Sequence, residues 1–239
     1  MSGHSKWSQI KRSKGAADAK KGLLFSKFSK KIAIAVKEGG GGDINANFKL
    51  KTIVEIAKEA GMPNDNIERS VKNATGNGAE NAISEVIYEG YGPFGTAFLV
   101  EAATDNTNRT FNNLRHIFTK HEGSIGIQGS VAWQFSTKGQ ILVENSQNIE
   151  SLELLAIEAG AEDVRGSVEG LEVYTKPQDL QKIKSVLIGQ GAKIAQADII
   201  KESSQGTDLT EDQKPKVDAL FAALENDEDV IAVHTSANL

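Results

Sequence analysis

The residues with the most definite chemistry in this chain are cations grouped around an aromatic: Lys6, Lys11, Arg12 and Lys14 surround Trp7 near the start. Ammonium and guanidinium groups neutralise phosphates and release condensed counterions, and an indole offers a nucleobase a stacking face. Lys20, Lys27, Lys30 and Lys31 extend the positive charge into the next segment. Lysine outnumbers arginine 22 to 5, which favours phosphate contact over bidentate reading of guanine edges. Arg109, near the start of a later amphipathic segment, is a further anchoring candidate.

Other chemistries lack their residues. Gly90, Gly92 and Gly95 match a dinucleotide-binding glycine pattern, but Pro93 interrupts it and Ala97 to Val100 read as strand where a helix N-terminus is needed. No phosphate loop, zinc-protease motif or nucleophile elbow occurs, so no catalytic residue is assigned. The chain has no cysteine, which removes thiolate metal sites and disulfides together. His116 and His121 stand about 140° apart on a helix and are poor joint ligands. The acidic run Glu225, Asp227, Glu228 and Asp229 lacks calcium-loop spacing. The expectation is no metal and no cofactor. The N-terminus lacks an apolar signal core and no segment approaches 18 uncharged apolar residues, so a cytoplasmic protein with no membrane contact is expected.

Hydrophobic periodicity supplies the elements that must position these cations. Phe25, Phe28, Ile32, Ala35 and Val36 share a helix face over about 16–37, with Lys20, Lys27, Lys30, Lys31 and Lys37 largely opposite, and Gly39 to Gly42 stop that helix. Leu50, Ile53, Val54 and Ala57 predict a second helix over 47–60, and Asn64 is placed to cap a third. Period-two alternation then predicts strands at 82–89 and 96–103, followed by a helix at 109–121. Val131, Trp133 and Phe135 read as a strand, with a turn at Lys138 and Gly139 before a second strand at 141–143. Helices at 149–159 and 179–188 and strands near 172–174 and 195–200 complete a ferredoxin-like order. A helix at 211–224 and a strand at 230–234 are too few to fold alone and should return to the sheet begun at Ala82.

The fold class is therefore α+β with three domains: an N-terminal helical domain, then two α/β domains, the last ferredoxin-like. The expected boundaries are 1–76 for the basic helical domain, 77–129 with 205–239 for a discontinuous middle domain, and 130–204 for an acidic ferredoxin-like domain. Charge follows the same division. Residues 1–75 carry +8 and residues 76–239 carry −13, which together give the net −5. A polyanion-binding module on an acidic body shows this asymmetry, the body restricting orientation and offering its faces to a protein partner such as polymerase or ribosomal proteins.

The segments GHSKW at Gly3–Trp7, KEGGGGD at Lys37–Asp43 and GMPNDNIERSVKNATG at Gly61–Gly76 resemble the YebC family. YEGYGPFG at Tyr88–Gly95, TDNTNRT at Thr104–Thr110, LRHIFTKHEGSIG at Leu114–Gly126 and GSVAWQF at Gly129–Phe135 continue the likeness in order. Two positions depart: Phe94 stands where the family commonly has Gly, and Thr107 where it commonly has Arg, so Arg109 alone keeps its charge in that loop. The resemblance implies a non-enzymatic, DNA-binding transcriptional regulator without a cofactor. Its alternative implication is a ribosome-associated translation factor or activator that binds ribosomal RNA. Lys6, Trp7, Lys11, Arg12, Lys14, Lys20, Lys27, Lys30, Lys31 and Arg109 are the residues expected to meet DNA or RNA.

Overall fold

The computed structural model describes residues 18–76, 83–145 and 148–238, with side chains from Lys21 onward. Lys6, Trp7, Lys11, Arg12 and Lys14, and the side chain of Lys20, lie outside the described residues. The described residues fall into two compact units, 18–76 and 83–130 with 215–233, and 131–145 and 148–214 with 234–238. Among the described residues, no helix is long and apolar enough to cross a membrane.

The first unit opens with three helices, α1 (Asp18–Glu38), α2 (Phe48–Glu59) and α3 (Asn64–Thr75). Phe28, Ile32, Ala35 and Val36 of α1 bury against Leu50, Val54 and Ala57 of α2 and Ile67 of α3, the 3.6-residue stripe that amphipathic helices present to a core. The glycine run after α1 has a packing cause as well as a stop function. A Cβ on Gly39 would fall 2.1 Å from Asn47 Oδ1. Asn47 uses that space: its amide nitrogen donates to Ala35 O and Gly41 O, while Oδ1 accepts from Leu50 N and caps α2. Asn64 is not the cap of α3. Pro63 occupies that position and its carbonyl accepts from Asn66 N and Ile67 N.

The same unit contains strands β1 (Ser84–Tyr91) and β2 (Ala97–Thr104), helix α4 (Thr107–Lys120) and the short strand β3 (Ser124–Ile125). Helix α7 (Lys214–Glu225) and strand β9 (Val230–Thr235) complete the sheet, whose order is β3-β1-β2-β9. Phe98 of β2 meets Phe118 of α4 edge to face at 6.0 Å in its core. The β1–β2 connection turns at Pro93–Gly95, where Phe94 has φ 61°. That left-handed conformation favours glycine and marks Phe94 as strained.

The second unit contains β4 (Phe135–Glu144), α5 (Ile149–Glu158), β5 (Asp163–Gly166), β6 (Gly170–Thr175), α6 (Leu180–Gly189) and β7 (Ile194–Ser203). Its sheet runs β5-β6-β4-β7 with every pairing antiparallel, the ferredoxin-like arrangement. Ile141, Val143, Leu152, Val173, Ile183 and Leu187 form the core between sheet and helices. A two-stranded ribbon of β8 (Thr207–Asp208) and β10 (Ala237–Asn238) pairs in parallel.

Two sequence expectations change here. Lys138 and Gly139 make no turn: β4 runs through them, and Gly139 pairs with Thr175 on one side and Ile199 on the other. A Cβ there would approach Thr175 Oγ1 to 2.3 Å, so the glycine permits close packing. Val131, Trp133 and Phe135 do not share a strand, because Ala132–Gln134 form a 3₁₀ turn that leaves Trp133 64% exposed. Of the acidic residues in the stretch Glu144–Glu172, Glu172 alone is fully buried, and it accepts the Tyr174 hydroxyl at 2.8 Å.

Candidate nucleic-acid interface

Helix α1 carries the described lysines named from sequence, Lys27, Lys30 and Lys31, on the side opposite its apolar stripe, and Arg109 stands in the first turn of α4. Two of them meet the acidic run between α7 and β9. Lys27 donates to the carbonyl of Glu225, and Lys30 donates to Glu228 O and Asp229 Oδ1, each at 2.7 Å. Lys31 is half-buried on the same helix.

Asp229 is the centre of this arrangement. Its side chain is 8% exposed. Beyond Lys30, it accepts Arg109 Nη2 at 3.1 Å and Thr110 Oγ1 at 2.7 Å, both from the first turn of α4. Arg109 also bridges to Asp105 at 2.8 Å. Ala103 N donates to the Asp229 carbonyl at 2.7 Å, which fixes the loop against β2. Burial opposes ionisation of Asp229, yet the donors from Lys30, Thr110 and Arg109 outweigh it and hold the carboxyl at about 2. Lys27 shows the opposite balance: burial pulls its ammonium down to about 8, against the partial support of Glu225.

The sequence-named cations Lys27, Lys30 and Arg109 thus converge, but on an acidic loop rather than as a solvated phosphate-facing row. The cleft there, about 670 Å³, is lined by Lys30 and Arg109 together with Asp105, Asp227, Glu228 and Asp229. Its negative lining disfavours a phosphate. No three His, Cys, Asp or Glu among the described residues are grouped to hold a metal ion.

A second concavity lies between α1 and α3, with a volume of about 920 Å³. Lys30, Lys37 and Arg69 supply its cations, and no Asp or Glu is among its described lining residues. Ser26, Asn66 and Asn73 add neutral polar groups, while Phe25, Ala33 and Met62 give it apolar floor. Ser70 Oγ spans the two helices to Ser29 Oγ at 2.9 Å. Lys37 and Arg69 are exposed; the sequence placed Lys37 on the polar face of α1 without a binding role, and Arg69 was passed over. The available signal was the α3 pattern, in which Asn66, Arg69, Ser70 and Asn73 fall beside the apolar stripe of Ile67, Val71 and Ala74.

Comparison with known proteins covers the whole chain. Residues 5–77 match the TACO1/YebC protein N-terminal domain, and residues 83–237 match the TACO1/YebC second and third domain. A protein of Desulfosudis oleivorans named probable transcriptional regulatory protein is 47% identical over 240 residues, covering 100% of this chain and 97% of that protein. One of the same description from Thermoanaerobacter pseudethanolicus is 44% identical over 241 residues, covering 100% and 98%. The crystal structure of a conserved hypothetical protein from Aquifex aeolicus has a TM-score of 0.82 and 41% identity, covering 93% of this chain and 92% of that one.

Proposed function

Because the chain belongs to the TACO1/YebC family, we propose that it is a non-enzymatic, cytoplasmic regulator of gene expression that binds nucleic acid, with DNA in transcription as its target. The observation that carries this reading is the charge division, +8 in residues 1–75 against −13 in the remainder. Lys and Arg that meet phosphates release counterions, an entropic gain that the acidic remainder cannot match. The names carried by close relatives support the regulatory part of the reading.

In this proposal Lys6, Lys11, Arg12 and Lys14 contact phosphates, Trp7 stacks on a base, and Lys20, Lys31 and the exposed cations of α3 extend the contact. The domain division is part of the same proposal: 1–76 binds, 77–129 with 205–239 supports it, and the acidic 130–204 stays clear of phosphate and meets a protein partner. No residue is assigned a catalytic role.

The test uses the full chain. Fluorescence anisotropy against labelled duplex DNA and single-stranded RNA should give affinities that fall linearly with the logarithm of salt concentration. Absence of binding to both sinks the proposal. Crosslinking in cells, with sequencing of bound DNA and RNA, should recover promoter DNA. Ribosomal RNA without promoter DNA would replace the transcriptional reading with that of a ribosome-associated translation factor.

A further inference from the structure

Resting on the nucleic-acid reading above, we propose that the groove between α1 and α3 is the seat of a single-stranded nucleic-acid segment, with Lys37 and Arg69 holding phosphates and the apolar floor receiving a base. Charge complementarity selects the occupant. In a chain of net charge −5, this groove has three cations and no carboxylate among its described lining residues. The neighbouring cleft has four carboxylates against two cations. A polyanion is therefore favoured in one and repelled from the other.

The shape selects a single strand. A concavity of about 920 Å³ lies in the size range of pockets that enclose small organic molecules, so it can take an unstacked base. Bases in a duplex stay stacked and present a convex backbone, which would reach only the rim. Ser26, Asn66 and Asn73 are placed among the cations, where hydroxyl and amide groups can hydrogen-bond sugar or base edges. Lys30 joins both concavities but is committed to Asp229 at 2.7 Å, which leaves Lys37 and Arg69 as the groove's freely exposed charges.

Three variants of the full chain test the assignment against labelled single-stranded DNA and RNA and the matching duplex DNA. Lys37→Gln with Arg69→Gln removes two groove charges at exposed positions. It should weaken single-strand binding about tenfold and reduce the magnitude of the salt slope by about 1.4, at about 0.7 per phosphate contact. Ala33→Phe fills the floor without changing charge and should weaken binding while leaving the Lys37 and Arg69 charges in place. Lys51→Gln with Lys58→Gln removes two exposed charges from α2, outside the groove, and should change affinity less than threefold. Photocrosslinking of 4-thiouridine RNA should map to peptides containing 25–37 and 66–76, an outcome that does not depend on variant stability.

If the parent chain binds the strand and neither the charge variant nor the crosslinks implicate the groove, the groove assignment is overturned while the nucleic-acid reading survives. Duplex binding that is tighter than single-strand binding and equally sensitive to the charge variant overturns the single-strand form. If the parent chain binds neither nucleic acid, the functional reading itself fails and takes this inference with it.

Discussion

Two concavities share Lys30 and have opposite electrostatics. In the cleft beside β2, Lys30 and Arg109 are matched by Asp105, Asp227, Glu228 and Asp229. In the groove between α1 and α3, Lys30, Lys37 and Arg69 face serine, asparagine and apolar side chains. The helix itself gives its lysines similar environments. What separates them is which carboxylates the tertiary fold brings near. A cation opposite an apolar stripe is available to phosphate only when no distant acidic segment folds onto it.

The largest expected effect tests the acidic side of this contrast. Asp229→Ala leaves Lys30 and Thr110 without their carboxylate partner and should cost about 2–4 kcal/mol in urea unfolding. Loss under ~1 kcal/mol would mean that the cleft is a surface contact rather than a structural centre. The pH dependence comes next. Asp229 has a folded value of about 2 against about 3.9 for an unfolded carboxyl, so its contribution is full above pH ~4 and is lost as pH falls toward 2. About two units correspond to roughly 2–3 kcal/mol, and Asp229→Asn should remove that acid-sensitive portion from a stability profile.

Two lysines on one helix sharpen the comparison further. Lys30→Gln takes a charge partner from a buried carboxylate and should cost about 1–2 kcal/mol. Lys27→Gln should cost less than ~0.5 kcal/mol, because burial already disfavours the Lys27 charge. With a folded value of about 8 below the unfolded 10.5, Lys27 makes stability rise between those pH values, a slope that Lys27→Gln should abolish. Equal costs for the two variants at pH 7 would remove the distinction between the lysines. The smallest effect concerns binding. Asp229→Asn weakens the hold on Lys30 and, if the groove takes phosphate, should raise single-strand affinity about threefold, near half a logarithmic unit per added contact. Reduced affinity would show that the acidic loop supports the groove rather than competing for Lys30.

The helices were legible in the sequence because the stripe of Phe28, Ile32 and Val36 is local and has one period. The ferredoxin-like order was legible for the same reason, through strand and helix alternation. Gly139 misled because a Lys-Gly pair resembles a turn, whereas its role depends on Thr175, brought alongside by strand pairing. The site was less legible. Lys30 and Asp229 are 199 residues apart, and the acidic run carried no signal of a lysine partner in the sequence until α7 and β9 placed it beside α1. Arg69 likewise gains meaning only when α1 supplies the other wall.

The position of β9 beside β2 also has a kinetic consequence. The amide of Ala103 waits for the carbonyl of Asp229, so this edge of the sheet cannot close until the intervening chain has been made. During synthesis the three-helix core and the ferredoxin-like sheet can form from nearer neighbours, leaving β2 as an open edge for longer than any other part of that sheet. Slow closure should appear as a late folding phase that reports on the β2–β9 seam, after helical signal has already developed. A temporary edge of this kind is where a nascent chain is most exposed to mispairing, and Asp229, once delivered, closes it with backbone and side chain together.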